Sequence, residues 1–541
     1  MWDFWHPDAI KKMIKMRYAK EEIEMVLSAD QLRAFELYKS GKNVFITGAG
    51  GSGKSYLIKH IYEDAIERNK KIFVTALTGT AAILLSANGF PASTLHSWAR
   101  LGLANGTVDE LVHRLQKNTY PRMRWMETQI LVVDEVSMLS TRLFETFEKV
   151  ARIIRREKNK GQELPFGGIQ IIFTGDFYQL PPVITATEKK KYGQFCFESE
   201  KWEELFGDNQ VILNKMFRQR EVEYVNILNQ IREGHIRKET VQILNQHVNK
   251  QYSSSLVIMP TKLYPLKKQV AEINQRKLAE INEEPVMYGL KYGTDGEASE
   301  LTDRLVIHST KEEIEYEHIF LKNNVRCEER LILKKGASVM CIVNGLIGGI
   351  CNGSQGVIID FDKPTKYPIV HFNNGKIMTI PPYRWKSDAI SRVYVEQIPL
   401  ILAWALTIHK SQGASLDCAE IDVGSGIFEC GQTYVALSRV RTMDGLYLTA
   451  FDPSAIIVSR KVRIFYDELK QRIMEREVNE ENEIIDQSHK HDSNNNINSQ
   501  PTILHISNTL HKIDNQMDAI QRISFERYNY TNEDEKEDAD D

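Results

Sequence analysis

Cysteine is scarce in this chain and widely scattered. The six residues (Cys196, Cys327, Cys341, Cys351, Cys418 and Cys430) include no C-x-x-C pair. That leaves no sequence basis for a structural zinc site or a disulfide framework, and makes a reducing compartment the expectation. Long apolar runs are missing as well. The longest candidate, residues 398–406, falls far short of the ~20 residues that a membrane span needs and fits a buried strand, so no membrane partner is expected. The N-terminus has no secretory apolar segment. Residues 11–20 are basic, but Asp3, Asp8, Glu21, Glu22 and Glu24 argue against a transit peptide. An intracellular location, nuclear or cytoplasmic, is therefore expected, with mitochondrial targeting the weaker alternative. No solenoid repeat is visible.

A strong overall charge is also absent, yet the net charge of −4 over 541 residues conceals a division. Residues 477–541 carry 16 acidic and 5 basic side chains, which leaves +7 on residues 1–476. A modestly basic body suits a nucleic-acid binder, although many unrelated proteins share that value. The Asn-, Asp- and Glu-rich tail after about residue 470 is expected to be disordered and offers a docking segment for protein partners. Apolar residues make up 42% of the chain, ample for several buried cores.

What is present is organised around residues 43–69. A short β-branched and aromatic run, NVFIT, meets the turn GAGGSGKS at residues 48–55, and a helical pattern follows. Strand, glycine-rich turn and helix N-terminus are the setting a phosphate-binding P-loop requires. Backbone N–H groups of Gly48, Ala49, Gly50, Gly51, Ser52 and Gly53 can converge on phosphates, helped by the helix dipole. Lys54 is placed to reach the β- and γ-phosphates of ATP and Ser55 to hold Mg²⁺. Gln31, just ahead of this strand, can read an adenine edge; alone it is a helix-start residue.

Further strand signals at residues 71–77, 129–134, 169–176 and 210–214 alternate with helical patterns, which implies a parallel sheet covered by helices. The run ILVVDEVSML ends its strand at Asp134 and Glu135. Beside a P-loop, Asp134 can hold Mg²⁺ and Glu135 can deprotonate the attacking water. The run IIFTGDFYQLPPV puts Asp176 at a strand end and Gln179 on a loop able to face the γ-phosphate. A second α/β pattern begins near Lys215, with a strand at residues 255–260, a helix at 266–281, strands at 398–405, 420–424 and 445–451, and a helix at 432–440. Short β runs at residues 337–395, with the hairpin dipeptide Asn374-Gly375, read as a small β-barrel inserted there.

Two α/β domains with a single P-loop place ATP in the cleft, with arginines delivered across it. Arg218 in LNKMFRQ and Arg439 in YVALSRVR are the candidates, acting from the second domain as fingers that stabilise the transferring phosphoryl group. Hydroxyls, small residues and basic groups in TGTAAILL (Thr78, Gly79), STLHSW (Thr94, His96) and LTIHKSQG (Thr407, His409, Lys410) suit a nucleic-acid backbone. His96 taken alone suits a structural role better.

In this order the blocks resemble the Pif-type (petite integration frequency) family of superfamily 1B helicases. The most specific are FEKVARIIRR at residues 147–156 and PFGGIQIIFTGDFYQLPPV from residue 165, joined by FRQ at 217–219 and TIHKSQG at 407–413. The resemblance covers about residues 27–465. It implies two RecA-like motor domains and ATP- and Mg²⁺-dependent 5′-to-3′ translocation on single-stranded DNA. It further implies unwinding of duplex or structured DNA, in replication, repair, recombination or telomere and genome maintenance. By position Gln31 is similar to the family's adenine-reading glutamine, and Arg218 and Arg439 to its two γ-phosphate arginines. The implied layout has a helical lead-in (1–27), a first motor domain (28–214) with a wedge-like insert (98–128), and a second motor domain (215–282 and 398–470). A Src-homology-type β-rich insert (283–397) and the acidic tail (471–541) complete it. A monomer is expected. A RecD-like repair or conjugation helicase, an RNA or RNA–DNA helicase, and an inactive nucleotide-binding scaffold are the competing readings.

Overall fold

The computed structural model describes residues 27–492, apart from 87–88, 102–103, 105, 118, 220, 253–259, 296–310, 326, 344–349, 351–353, 373, 388–389, 391 and 414. The expected lead-in up to residue 26, nearly all of the strand expected at 255–260 and the tail beyond 492 lie outside the described residues. The described residues up to Ile473 form one compact unit, and those from Met474 a second, of which the end of a helix is described. Among the described residues no helix is long and apolar enough to cross a membrane.

The first sheet is built from β1 (Val44–Thr47), β2 (Ile72–Ala76), β3 (Ala92–Thr94), β4 (Ile130–Asp134), β5 (Gln170–Gly175) and β6 (Gln210–Ile212). Their order is β3-β2-β4-β5-β1-β6, and every pair is parallel. All residues of β1 and β4 are buried, as continuous apolar runs require when helices cover both faces. The alternation of side chains then sorts each strand between two cores. Val44, Ile46, Ile130 and Val132 face one core, completed by Leu57, Ile58 and Ile61 from the helix Lys54–Glu67. Phe45, Leu131, Val133 and Phe173 face an aromatic core with Phe144, Phe147 and Trp202.

The block FEKVARIIRR forms much of the helix Thr141–Arg155, whose apolar side fills that aromatic core. Arg155 is buried and donates to the carbonyls of Gly167, Trp125, Met126 and Thr128. Gly167, at φ +60°, lies so close to the Ala151 carbonyl that a Cβ there would collide with it. One arginine thus joins several chain segments, and the diglycine after Pro165-Phe166 lets the backbone reach it.

The chain then builds a second parallel sheet around an antiparallel insert. β7 (Thr261–Tyr264) opens the parallel sheet and the helix Lys267–Glu280 follows it. Two small antiparallel sheets come from the insert. One pairs β8 (Val286–Gly289) with β10 (Arg330–Leu333), and the other joins β9 (Lys291–Thr294), β16 (Val393–Gln397) and β15 (Tyr383–Lys386). The largest antiparallel sheet uses β11 (Ser338–Cys341), β12 (Gln355–Phe361), β13 (Pro368–Phe372), β14 (Ile377–Thr379) and β17 (Leu400–Leu402), in the order β14-β13-β12-β11-β17. Asn374 and Gly375 make the turn between β13 and β14, where the Lys376 N–H bonds the Asn374 side chain. Among the described residues the pairing runs from edge to edge without closing, so this is an open five-stranded sheet where the short β runs suggest a barrel. The parallel sheet is completed by β18 (Ala405–Thr407), β19 (Ala419–Val423) and β20 (Leu446–Phe451), in the order β18-β7-β19-β20.

Two boundaries differ from the sequence reading. The apolar run at 398–405 is not one strand. β17 pairs antiparallel with β11, and after Ala403 and Trp404 the chain enters the parallel sheet as β18. An apolar run marks burial but not the sheet in which it is buried. The stretch 98–128, expected as a wedge-like insert, is helical, with helices Leu95–Ala99, Val108–Lys117 and Thr119–Glu127. Its Arg124 and Trp125 are buried and donate to the carbonyls of Ser97 and Ala99 respectively. Last, Val462, Phe465, Tyr466 and Leu469, expected in the second domain, join the aromatic core of the first.

Candidate active site

The turn from β1 into the helix Lys54–Glu67 carries the site. Gly53 precedes that helix at φ +87° with no side-chain cap, so the first helical N–H groups are left to face the turn. A Cβ on Gly53 would come 2.5 Å from Gln31 Nε2, so a side chain there would close the turn. Lys54 Nζ reaches back across it, donating to the carbonyls of Gly48 (2.6 Å) and Ala49 (3.1 Å). Burial pulls the Lys54 pKa down, opposed by the charges of Asp176, Glu135 and Asp134. Ser55 is exposed in the first helical turn. Gln31 is buried, its amide donating to the Gly53 carbonyl (3.2 Å) and accepting from Ser28 N–H (2.9 Å). It braces the P-loop through the cap of its own helix, and reading an adenine edge would require one of these bonds to exchange.

Asp134 ends β4 with its carboxylate accepting from the Thr174 hydroxyl, and burial raises its pKa. Glu135 follows at φ +58°, a left-handed conformation that a non-glycine residue adopts at a cost and that turns its side chain out of the strand direction. Burial, and then the neighbouring Asp134, push Glu135 up to about 7. A carboxylate in that range suits proton transfer near neutral pH. The hydroxyl of Ser55 and the carboxylate of Asp134 are hard oxygen donors. Two such ligands, with phosphates and water completing the shell, are what Mg²⁺ takes.

The second sheet closes this turn. Tyr434, on the helix Gln432–Leu437, accepts from the Gly50 N–H at 2.8 Å. A methyl group placed on Gly50 would lie 3.6 Å from Arg218 Nη1, from Arg439 Nη2 and from the Tyr434 hydroxyl. Arg439 is buried and donates to the Val435 carbonyl (2.7 Å) and the Ser438 hydroxyl (2.8 Å). Burial, then Arg218, lower its pKa to about 9. Burial likewise lowers that of Arg218. Two guanidinium groups repelling each other over a glycine-rich turn make a cradle that a polyanion fits.

The sequence reading has Arg218 arriving from the second domain. It instead follows β6 and lies on the P-loop itself, where the Phe217 N–H bonds the Gly51 carbonyl (2.9 Å) and Arg218 Nη1 reaches the Ser438 carbonyl (3.5 Å). Gln179 is buried on the loop after β5, and its carbonyl would meet a Cβ on Gly431 at 2.7 Å. That places it against the start of the helix that bears Tyr434.

Several residues here escaped the sequence reading. Gln412 Nε2 donates to Glu135 Oε2 at 3.3 Å. Asp176, fully buried, is held by Arg232 through two bonds (2.9 and 2.7 Å), and the Tyr466 hydroxyl reaches the same carboxylate at 3.3 Å. Tyr466 also bonds the Thr47 hydroxyl and accepts from the Phe177 N–H (3.1 Å). Its ring stacks on Tyr178 at 4.6 Å, and the Arg232 guanidinium lies over both rings. Gln412 and Tyr434 lie inside blocks that the sequence already marks. Arg232 and Tyr466 carry no signal, since each sits in a helical pattern of ordinary amphipathic kind.

The residues expected along a nucleic-acid strand follow the carboxyl ends of strands in both sheets. The hydroxyls of Thr78, Thr94 and Thr407 accept from the N–H groups of Ala81, Ser97 and Lys410 (3.1 Å each). All three therefore serve as helix caps, and Gly79 opens the first of the capped helices, Gly79–Ser86. What the segments offer a phosphate is the remaining backbone N–H groups at the helix starts. His96 and His409 are half-buried, and burial lowers both pKa values, favouring the neutral rings. His409 lies nearly parallel to the exposed Phe428 ring, 6.3 Å away, and Lys410 is exposed.

A family model described as PIF1-like helicase matches residues 26–242. The ATP-dependent DNA helicase Pif1 of Bdellovibrio bacteriovorus is 34% identical, over 83% of this chain and 93% of that protein. The ATP-dependent DNA helicase PIF1 of Xenopus laevis is 34% identical over 82% of this chain; the match spans 65% of the frog protein's length. Among solved structures, the Pif1 helicase of Candida albicans superposes with a TM-score of 0.65 at 32% identity, covering 82% of this chain and 99% of that one.

Proposed function

Because this chain belongs to the PIF1-like helicase family, we propose that it is an ATP-dependent DNA helicase that moves 5′-to-3′ along single-stranded DNA and separates duplexes ahead of it. The observation that carries the chemistry is the convergence over Gly50 of Arg218, Arg439 and Tyr434 with the P-loop. Phosphates held in the turn by backbone N–H groups and Lys54 would lie between Lys54 and the two guanidinium groups. Glu135 takes a proton from the attacking water. Lys54, Arg218 and Arg439 then meet the charge that develops on the transferring phosphoryl group. Mg²⁺, held through Ser55 and Asp134, would neutralise phosphate charge when bound. Gln179, whose carbonyl lies against the start of the Tyr434 helix, is assigned the relay of the γ-phosphate state.

Strand binding is assigned to the segments at Thr78-Gly79, Thr94–His96 and Thr407–Lys410, the first two from the first sheet and the third from the second. Contacts through backbone N–H groups and caps fix position without reading sequence, which is what a translocating motor needs. In this reading a monomer is the working unit.

The test is unwinding of matched duplexes that carry either a 5′ or a 3′ single-stranded overhang. Unwinding that needs ATP and a 5′ overhang is expected. Efficient unwinding from a 3′ overhang alone would overturn the polarity, and unwinding only of RNA duplexes would overturn the substrate class.

A further inference from the structure

The segment that follows β18 reaches from the proposed strand path to the proposed base within a few residues. Thr407 caps the short helix Ile408–Ser411, which carries His409 and Lys410. Gln412 comes next, its N–H bonded to the His409 carbonyl (3.3 Å) and the residue only 8% exposed. The Ser411 hydroxyl donates to the Ile408 carbonyl (2.8 Å), so the turn is tied within itself. From this turn Gln412 Nε2 crosses the cleft to Glu135 Oε2. Gly413, at φ +78°, meets the Leu84 side chain so closely that a Cβ would collide with it. Leu84 belongs to the helix Gly79–Ser86, just after Thr78. The strand-binding segments of the two sheets therefore touch each other immediately beside the Gln412–Glu135 bond.

We propose that Gln412 is a positioning residue that holds the Glu135 carboxylate away from the attacking water until a strand bound on the Thr407–Lys410 segment draws it off. An amide N–H satisfies one oxygen of the carboxylate and fixes its rotamer; releasing it returns that oxygen to the water. A nucleic-acid phosphate engaging the helix Ile408–Ser411 displaces a turn that includes Gln412, so strand binding and proton abstraction are linked through one side chain. Coupling of this kind works only if the two states differ in a contact, and this bond is that contact.

This rests on the helicase reading above, and the experiment separates the two. ATP turnover is measured with and without saturating single-stranded DNA for the unaltered full-length chain, Gln412→Ala and Gln412→Met. The Met variant keeps the length of the side chain without its donor. Both variants are expected to raise DNA-free kcat at least about fivefold, the low end of ordinary coupling. KM for ATP and the DNA-saturated kcat should stay near the parent values, so that the stimulation ratio shrinks by the same factor. A DNA-free kcat that falls or stays constant in Gln412→Met, with strong stimulation retained in the unaltered chain, overturns the inference alone. Hydrolysis that DNA does not stimulate in the unaltered chain overturns the helicase reading and this inference together.

Discussion

At the carboxyl ends of its strands the first sheet presents a glycine-rich turn, Lys54 and two carboxylates, whereas the second presents Arg439, Gln412 and Tyr434. Both sheets are parallel and both end in short capped helices. The chemistry is divided between them. In the proposed mechanism the first sheet holds the nucleotide, through backbone N–H groups fixed by β1 and its helix. In the same mechanism the second brings Arg439 to the transferring phosphoryl group and Gln412 to restrain Glu135. Arg439 shows the division most plainly, because a buried guanidinium whose pKa has dropped to about 9 is stabilised in its charged form by any anion brought beside it. In the proposed mechanism the P-loop binds the nucleotide and Arg439 completes the site for turnover.

The sharpest way to break this comparison is to remove one group from each side. Arg439→Ala is expected to reduce DNA-stimulated kcat by about 10³–10⁵-fold, while ATP affinity changes far less, because the contact belongs to the closed state. Glu135→Gln should lower kcat by about 10²–10⁴-fold with nucleotide binding retained. Rapid-mixing turnover and titration of a fluorescent ATP analogue measure both. If Arg439→Ala lost affinity in proportion to kcat, the second sheet would be holding ground-state nucleotide and the division would fall.

A smaller effect is expected where the two regions are tied. Arg232→Met leaves the Asp176 carboxylate buried without its cation and should lower unfolding stability by about 3–5 kcal/mol in denaturant titrations. Adding Asp176→Leu to that variant should recover much of the loss. A double variant no more stable than Arg232→Met would mean that Asp176 is not the reason Arg232 is there. Smaller again is Tyr466→Phe. It keeps the stack on Tyr178 but strips the acceptor from the Phe177 N–H, at about 1–3 kcal/mol. Thermal unfolding with unchanged Glu135 chemistry checks it.

Most of the first sheet was legible because its strands are buried on both faces and so read as uninterrupted apolar runs. The strands expected at 71–77, 129–134 and 169–176 contain β2, β4 and β5. The P-loop was legible because its glycines are needed one by one. The rest was hidden for physical reasons. Residues 398–405 are apolar throughout apart from the turn-forming Pro399, and nothing local marks the switch from β17 to β18. Nothing local marks Arg124 and Trp125 as buried, each held by a carbonyl of the helix Leu95–Ala99. The hydroxyls of Thr78, Thr94 and Thr407 cap helices, a role that spacing alone does not reveal beside the expected contact with a strand. The pairing of Asp176 with Arg232 is a contact between residues far apart in sequence, which no local pattern carries.

The aromatic core of the first sheet includes Phe465 and Tyr466, from the helix that begins at Arg460. The chain therefore leaves the first sheet after β6, builds the second, and comes home. The chain thus passes between the two sheets twice, and the segment after β20 is held by the core of the first sheet rather than by the second.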